Sequence, residues 1–427
     1  MPRGSRRPSG PPLGALACAL VLVAGCTPAV RSARWASVRE LTPALFADRP
    51  VFDPALAAGP GGRVALTFVT RDTAGADAWI VVSSDSGAHF SAPQRLNAAA
   101  GRVASFPESH PVAAFGPGGT LVVAWSAAHD SARANDDIVA RASTDGGATF
   151  EPEVILNDDA RTRPGGGYHG FVTLDATAAG RVIAAWIDGR GAPAGDDEPF
   201  AAQVWSAASD DGGRAWRPNV MVADSACPCC RPALRAANSG LVAVAYRTAR
   251  DSLRDPRLAL SRDGGASFTS DTLLFPDRWK LAACPVSGPA ITFSRGGGEV
   301  AWTTGATGRD GGGPGVYAIP WRASGTACGP AGARHSLAEP ALDPAHPLLA
   351  TLGAYTLAGV IARPEPGRHA LALRTIAPDG RTSAWLFLGA NARSAALAGT
   401  DAGHAYAAWL EQADGGPRLR LVRVTRG

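Results

Sequence analysis

The octapeptide Ser83-Ser84-Asp85-Ser86-Gly87-Ala88-His89-Phe90 recurs three more times in this chain of 427 residues. All four copies fit the pattern S-x-D-x-G-x-x-[FW], and their aspartates follow one another at intervals of 60, 66 and 52 residues. Recurrence of one short motif at such spacing predicts a repeat architecture in which each repeat is a small structural unit. The fixed positions are Ser83, Asp85, Gly87 and Phe90; Ser143, Asp145, Gly147 and Phe150; Ser209, Asp211, Gly213 and Trp216; and Ser261, Asp263, Gly265 and Phe268.

The residue types of the motif predict a tight turn between two strands. The Ser and Asp side chains can accept hydrogen bonds from backbone N–H groups of the turn. The Gly can adopt a positive φ that other residues resist. The aromatic residue, three positions after the Gly, begins the next strand and fills the gap between neighbouring sheets.

The pattern resembles the Asp box, or BNR repeat, of the sialidase-like β-propellers. The resemblance covers nearly all of residues 51–427 and implies an all-β fold of four-stranded antiparallel blades. In that family the boxes lie on the face opposite the active site. The four motifs therefore predict the fold and leave the chemistry open.

The N-terminus has the layout of a bacterial secretory signal. Arg3, Arg6 and Arg7 precede an apolar run from Leu13 to Ala24. The run ends in Val23-Ala24-Gly25-Cys26, which resembles a lipobox and predicts lipidation of Cys26. A signal peptide without lipidation is the alternative.

This layout divides the chain into three parts. We expect residues 1–25 to be the signal peptide with its lipobox, residues 26–50 to hold the lipidated N-terminus, a linker and a ring-closing strand, and residues 51–427 to be the propeller. The predicted location is the outer membrane or cell envelope, facing an extracytoplasmic compartment. The membrane is then a partner through the N-terminal lipid.

The composition agrees with an exported all-β protein. The chain contains 51 Gly and 34 Pro, which fits many short strands joined by turns. Its formal net charge of +4 is small and dispersed, which argues against a nucleic-acid partner. We expect a monomer.

Strand patterns outside the boxes predict the number of blades. Seven apolar segments read as inner strands, and each is followed by two further strands. The seven inner strands favour seven blades. Sialidases of this family usually have six, so six blades are the alternative. The seventh blade lacks a fourth strand, which Val38 to Phe46 is predicted to supply, removing the open edge of the ring. The inner strands are predicted to begin near Pro54, Pro111, Gly170, Pro232, Pro289, Pro347 and Ser394.

One face of the predicted propeller collects the unusual residues. It carries the segments that lead into the inner strands and the loops between second and third strands, and loops on a rigid scaffold are frequent binding sites. Paired loop charge without a ligand is the alternative for the arginines. The candidate ligand-binding residues are His110, Tyr168, His169, Arg71, Arg190, Arg231, Arg247 and Arg309.

Four cysteines are expected on the same face. Cys227, Cys229 and Cys230 lead into the fourth inner strand, and Cys284 leads into the fifth. Disulfides are the default in an oxidising compartment, and Cys230 with Cys284 is the predicted pair. The alternatives are a Cu(I) or Zn site with His110 or His169 as nitrogen ligands, and redox-active thiols.

The resemblance does not extend to sialidase catalysis. Those enzymes use three arginines for the substrate carboxylate, a Tyr with a Glu partner, and an Asp acid/base. The family's Arg-Ile-Pro motif is absent here, and no Tyr has a recognisable family context. The catalytic residues stay unknown, and we expect little or no release of sialic acid.

The sequence therefore predicts a lipid-anchored propeller that binds a ligand at the funnel face. A glycan or another extracellular partner, such as a protein, is the expected ligand. An exo-glycosidase of the sialidase type is the first alternative. A metal-binding protein based on Cys and His is the second.

Overall fold

The structure is a computed structural model. It describes residue 1 and residues 35–46, 49–129, 136–161, 167–191, 202–293, 296–307, 313–324, 327–400, 402–413 and 416–427. The predicted signal peptide, Cys26 and Arg309 lie outside the described residues.

The described residues form seven antiparallel blades of four strands, so the prediction of an all-β propeller with seven blades is confirmed. Within each of blades 1 to 6 the strands follow chain order from the inside outward. The blades are blade 1, β2 (Val51–Gly59), β3 (Arg63–Asp72), β4 (Gly75–Ser83) and β5 (Gln94–Arg95); blade 2, β6 (Val112–Phe115), β7 (Leu121–Ala128), β8 (Asp136–Ser143) and β9 (Val154–Ile155); blade 3, β10 (His169–Ala176), β11 (Val182–Asp188), β12 (Ala202–Ser209) and β13 (Val220–Ala226); blade 4, β14 (Ala233–Ala236), β15 (Val242–Arg247), β16 (Pro256–Ser261) and β17 (Ser270–Leu273); blade 5, β18 (Ala290–Ile291), β19 (Gly297–Thr304), β20 (Gly315–Ser324) and β21 (Ala327–Pro330), with β22 (His335–Ser336) also pairing with β20; blade 6, β23 (Ala345–Leu352), β24 (Tyr355–Glu365), β25 (Arg368–Ile376) and β26 (Leu386–Leu388); and blade 7, β27 (Ala392–Gly399), β28 (His404–Ala413), β29 (Gly416–Arg426) and β1 (Trp35–Glu40).

Helical structure in the described residues is limited to short 3₁₀ turns. No helix in this part of the chain is long and apolar enough to cross a membrane. The turns are Pro60–Gly62, Pro117–Gly119, Asp158–Arg161, Arg250–Ser252 and Pro340–Leu342.

The N-terminal strand β1 completes blade 7. It pairs antiparallel with β29, with Val38 opposite Val424. The predicted segment, Val38 to Phe46, overlaps β1 only at residues 38–40. Leu41, just after β1, is buried between blades 7 and 1.

Seven hydrophobic clusters fill the interfaces between neighbouring blades. Each inner and second strand contributes Val, Leu, Ile or Ala, because both faces of a blade are covered by its neighbours. Trp125, Trp186 and Trp302, near the ends of second strands, are almost completely buried. Burying one large apolar side chain stabilises a fold by about 1.5–3 kcal/mol, so these clusters hold the ring together.

The four repeated motifs form the same turn between the third and fourth strands of blades 1 to 4. In blade 3, the N–H of Gly213 donates to Ser209 Oγ at 2.8 Å, and the N–H of Ala215 donates to Asp211 Oδ1 at 3.0 Å. Gly213 has a φ of 92°, and a Cβ there would lie 2.7 Å from Val122 of blade 2. The Gly therefore permits both the turn and close packing of neighbouring blades. The equivalent hydrogen bonds occur at Ser83 and Asp85, Ser143 and Asp145, and Ser261 and Asp263.

Candidate functional site

The mouth of the propeller is the face at which the seven inner strands begin. Four of these strands, β2, β10, β23 and β27, shift register close to their first residues. Such bulges re-aim side chains and are common next to functional sites. They place four residues other than glycine at positive φ. This conformation is unfavourable for such residues, so the surrounding structure must hold it in place. These residues are Asp53 (50°), Phe171 (58°), His346 (51°) and Ser394 (43°).

Glu108 reaches across the mouth. It precedes the inner strand of blade 2 and also has a positive φ, of 69°. Its Oε2 accepts the N–H of Gly288, which leads into blade 5. Its Oε1 pairs with Nδ1 of His346, in blade 6, at 3.2 Å. Blades 5 and 6 lie opposite blade 2 in a ring of seven, so this carboxylate lies over the propeller axis.

The charges around Glu108 favour its ionised form. Burial alone would raise its pKa, but the hydrogen bond from His346, the charge of Arg231 and the N–H of Gly288 outweigh burial and hold the pKa below its ordinary value. In return, the hydrogen bond and charge of Glu108 raise the pKa of His346. The two residues therefore form an ion pair that is strongest in mildly acidic solution.

Arg231 and His110 meet beside this pair. Arg231 leads into blade 4, His110 leads into blade 2, and Nη1 of Arg231 donates to Nε2 of His110 at 2.5 Å. A guanidinium can only donate, so Nε2 of His110 accepts and the imidazole is neutral with its proton on Nδ1. Burial and the charge of Arg231 both lower the pKa of His110 well below its ordinary value.

Arg231 keeps donors available at the mouth. Within the described part of the chain, its Nε and Nη2 have no hydrogen-bond partner, since its one bond runs from Nη1. Arg235, four residues further along blade 4, lines the same axial cavity. Asp175 of blade 3 lies near Arg235, and its carboxylate accepts the N–H of Ala236 at 2.8 Å. Two guanidinium groups from one blade therefore line the axis.

Aromatic side chains form one rim of the mouth. Phe106, two residues before Glu108, is 48% exposed although it is a large apolar residue. Its ring contacts Phe171 edge-on, with centroids 5.9 Å apart. Tyr168 packs against the same Phe171, and its hydroxyl donates to the carbonyl of Pro228 at 2.9 Å.

The predicted loop arginines have separate surroundings. Arg71 donates to Asp53 Oδ2 at 2.5 Å and to Ser105 at the rim of the mouth. Arg247 is buried and donates to the carbonyls of Ser287, Arg254 and Thr303, so it holds blades 4 and 5 together.

Arg190 and His169 belong to one buried ionic network. Nε2 of His169 lies 3.1 Å from Asp159 and 3.6 Å from Asp188. Arg190 pairs with Asp188 at 2.9 Å and covers the ring of Trp205. The three ligand atoms of Asp159, His169 and Asp188 lie within 4.8 Å of one another, but Arg190 already pairs with both carboxylates, at 3.5 Å from Asp159 and 2.9 Å from Asp188. Burial opposes the charged imidazole, yet the two carboxylates raise the pKa of His169.

The cysteines meet as predicted, but the predicted Cys230–Cys284 pair is wrong. The disulfide joins Cys229 to Cys284, with Cα atoms 6.1 Å apart. Pro232 and Pro289 each directly precede an inner strand, so the true equivalent of Cys230 is Ser287, whose backbone contacts the Cys230 thiol. Cys284 lies three residues further from its strand, where Cys229 reaches it.

The thiols of Cys227 and Cys230 are buried and outside the disulfide. The sulfur atoms of Cys227, Cys229 and Cys284 lie within 4.8 Å of one another. In the described residues neither His110 nor His169 joins this cluster; His110 is bonded to Arg231 and His169 to the acidic network.

Glu108 and His346 lie at the mouth but are not among the ligand-binding residues predicted from the sequence. The only local signal for Glu108 is its place in Pro107-Glu108-Ser109-His110-Pro111, directly before an inner strand. Nothing in the sequence connects it with His346, 238 residues away.

No family model matches the sequence, and no curated protein matches it. Among solved structures, a protein of unknown function from Dyadobacter fermentans aligns with a TM-score of 0.53 and 11% identity, over 93% of this chain and 100% of that chain. Polysaccharide lyase Uly1 aligns with a TM-score of 0.55 and 10% identity, over 88% of this chain and 90% of that chain. At these identities the likeness establishes the fold alone. The Hadza microbial sialidase Hz136, with a TM-score of 0.45 and 14% identity over 84% of this chain and 76% of that chain, supports no further argument.

Proposed function

We propose that this protein binds an acidic carbohydrate at the mouth of the propeller, with Arg231 receiving the carboxylate of the sugar. The observation that carries the proposal is the state of Arg231. Its guanidinium stands at the axis, and within the described residues Nε and Nη2 have no partner. The planar fork of an arginine matches a carboxylate and can bind it through two parallel hydrogen bonds.

The surroundings of Arg231 fit such a ligand. The neutral His110 adds no competing negative charge, and it keeps one N–H donor on Nδ1. The nearby carboxylate of Glu108 is paired with His346, so the mouth is not dominated by negative charge. Arg235 adds a second positive charge further along the axis. A mouth with this balance favours an anionic group over a neutral or cationic one.

The exposed Phe106 provides the apolar part of the site. Sugar rings carry apolar C–H faces, and pockets for small ligands combine aromatic walls with a few placed polar groups. Phe106 lies two residues from Glu108 in the same segment and packs on Phe171, which fixes its position. Polysaccharide lyase Uly1, which shares the fold, is named for action on a carbohydrate polymer.

Isothermal titration calorimetry tests the proposal with oligosaccharides that contain uronic or sialic acid. The control ligands are the same oligosaccharides with the carboxylate reduced to an alcohol. We expect binding of an acidic ligand and its loss on reduction. Arg231→Gln should weaken binding by about 10–100-fold, the value of a charge-assisted hydrogen bond pair.

The matched control is Arg250→Gln, which removes an arginine of the same blade whose side chain is 64% exposed and paired with Asp224. This variant should bind like the wild type. Equal affinity for the acidic and reduced ligands, or unchanged binding by a folded Arg231→Gln protein, would refute the proposal.

We further propose that the protein is exported and anchored by a lipid on Cys26. The support is the lipobox-like Val23-Ala24-Gly25-Cys26, together with a disulfide of the kind that persists in oxidising compartments. Incorporation of labelled palmitate into the protein in a bacterial host, and its loss in Cys26→Ala, tests the anchor. Unlabelled protein released into the medium would contradict it.

A further inference from the structure

Four cysteines lie together where blades 4 and 5 meet at the mouth, in two layers. The outer layer is the disulfide Cys229–Cys284, whose Cys284 is solvent-exposed. The inner layer is the thiol pair Cys227 and Cys230, both almost completely buried. An external reagent therefore meets the bridge before it meets the thiols.

The two layers are in contact. Sγ of Cys227 lies 3.9 Å from Sγ of Cys229, and the sulfur atoms of Cys227, Cys229 and Cys284 all fall within 4.8 Å of one another. The N–H of Cys230 faces the carbonyl of Cys227 at 3.4 Å, so the chain turns between them. The thiol of Cys230 is also the largest influence that lowers the pKa of Cys227. The sulfur of Cys227 is thus close to the bridge, and the turn of the chain brings Cys230 next to Cys227.

We propose that these residues form a thiol–disulfide exchange site in which one bridge moves between Cys229–Cys284 and Cys227–Cys230. The inner thiol pair would supply the two electrons, and the exposed Cys284 would react with the external substrate. Its substrate class is an external disulfide.

The internal transfer takes two balanced steps. The thiolate of Cys227 attacks Sγ of Cys229; a Cys227–Cys229 bond forms, the Cys229–Cys284 bond breaks, and Cys284 leaves as a thiolate. Cys230 then attacks Cys227; the Cys227–Cys230 bond forms and Cys229 leaves. The protons lost by Cys227 and Cys230 pass to Cys284 and Cys229. One disulfide and two thiols are present before and after, so no outside oxidant is needed.

The outward transfer follows from the exposure of Cys284. The released thiols of Cys229 and Cys284 reduce an external disulfide, R–S–S–R, to two R–SH and re-form their own bridge. The protein ends with two disulfides, Cys227–Cys230 and Cys229–Cys284. Direct reaction of the buried pair with the same substrate is blocked by its burial.

The electrostatics fit the roles of the two inner thiols. The neighbouring thiol of Cys230, together with the backbone at Cys229 and the charges of Arg247 and Arg254, outweighs burial and lowers the pKa of Cys227 to about 7. Burial raises the pKa of Cys230. Tyr168 also faces the pair. Cys227 is thus the nucleophile of the first step, since the thiolate is the attacking species.

Alkylation of the full-length protein with a maleimide under anaerobic conditions, followed by non-reducing peptide mapping, tests the exchange. We expect Cys284 to become labelled while a Cys227–Cys230 bridge appears. In Cys227→Ser the labelling of Cys284 should slow by about tenfold or more, because the attacking thiolate is gone. Cys230→Ser should instead trap a Cys227–Cys229 bridge with Cys284 labelled. Cys328→Ser, which changes a thiol bonded to Leu258 and Thr272 in another part of the fold, is the control and should match the wild type.

A coloured aromatic disulfide then tests the outward transfer. The wild type should release the coloured thiol and finish with both bridges, and Cys227→Ser should do so at least about tenfold more slowly. The proposal fails if Cys284 labels equally fast in Cys227→Ser, or if Cys227 and Cys230 are alkylated while Cys229–Cys284 stays intact. It also fails if the cluster is recovered with all four thiols reduced around a bound metal.

Discussion

The turn face and the mouth of the propeller differ in the sequence separation of the residues that hold them together. Each repeated turn is fixed by hydrogen bonds that span two to four residues, as at Ser209 and Asp211. The mouth is fixed by contacts that span 121 residues between His110 and Arg231 and 238 residues between Glu108 and His346. The first face is a local structure repeated four times, and the second exists only once the ring has closed.

The difference explains where variation is tolerated. A turn held by its own side chains forms in any blade that keeps the motif, and blades 5 to 7 do without it. The mouth cannot be repeated, because each blade supplies a different residue to one shared axis. Function can therefore be placed at the mouth while the turns supply a constant scaffold.

Deleting residues 27–46 is the largest expected perturbation, because it removes the most distant pairing of all, β1 with β29. The deletion exposes an edge strand and the cluster around Leu41, and Phe46 no longer packs on Trp79. We expect the free energy of unfolding in urea to fall by about 3–6 kcal/mol. Deleting residues 27–34 alone leaves β1 and should have little effect; an equal loss in both deletions would show that β1 does not seal the ring.

Glu108→Ala tests the mouth by removing the group that joins blades 2, 5 and 6. The N–H of Gly288 loses its acceptor and Arg231 loses a nearby negative charge. We expect a loss of about 2–4 kcal/mol in the free energy of unfolding. The control Glu365→Ala removes a glutamate that is 68% exposed and pairs with nearby Arg368, and it should be close to neutral. A neutral Glu108→Ala would mean that the mouth holds together without this carboxylate.

Ser209→Ala tests the turn face. It removes the acceptor of the Gly213 N–H and the donor to Asp211 in a buried position. We expect a loss of about 1–3 kcal/mol in thermal or urea unfolding, with ligand binding at the mouth unchanged. Ser206→Ala is a matched control on the same strand, since Ser206 Oγ is buried without a hydrogen-bond partner in the described structure. Loss of binding in Ser209→Ala would show that the two faces are coupled.

The smallest expected effect is the pH dependence of the Glu108–His346 pair. The raised pKa of His346 stabilises the fold below the ordinary value of 6.5, and this contribution is lost as the pH rises through the folded-state pKa. The lowered pKa of Glu108 stabilises the fold above the ordinary value of 4.5, and this contribution is lost as the pH falls. The free energy of unfolding of the wild type should therefore exceed that of His346→Gln most between these two pH values. The difference should be less than about 1 kcal/mol, because His346 is half exposed. A difference that is constant from mildly acidic to mildly alkaline solution would contradict the ion pair.

The sequence predicted the elements whose information is local. The starts of the inner strands were placed within three residues, as at Pro54 against Val51 and Ser394 against Ala392. The strands themselves follow from alternating apolar residues and turn residues, which act over a few positions. The proximity of Cys284 to the segment with Cys227, Cys229 and Cys230 was also predictable, because adjacent blades repeat one geometry.

The disulfide partner was not predictable at that level. Strand order brings Cys284 to the same corner as three other cysteines, but the choice among them depends on an offset of three residues in an irregular lead-in segment. The structure pairs Cys284 with Cys229 and leaves Cys230 opposite Ser287. Such an offset is set by the packing between blades. The pattern of strands and turns in the sequence does not predict that packing.

The amino-acid sequence by itself determined the repeat, the turn chemistry and the number of blades, because each rests on residues within a few positions of one another. Only the tertiary structure decided which side chains share the axis. It brought Glu108 to His346 and Gly288, and it set Arg231 against His110, with two of its nitrogens unbonded in the part of the chain that the structure describes. The physical reason is ring closure: residues from opposite blades become neighbours only when all the blades have packed in order.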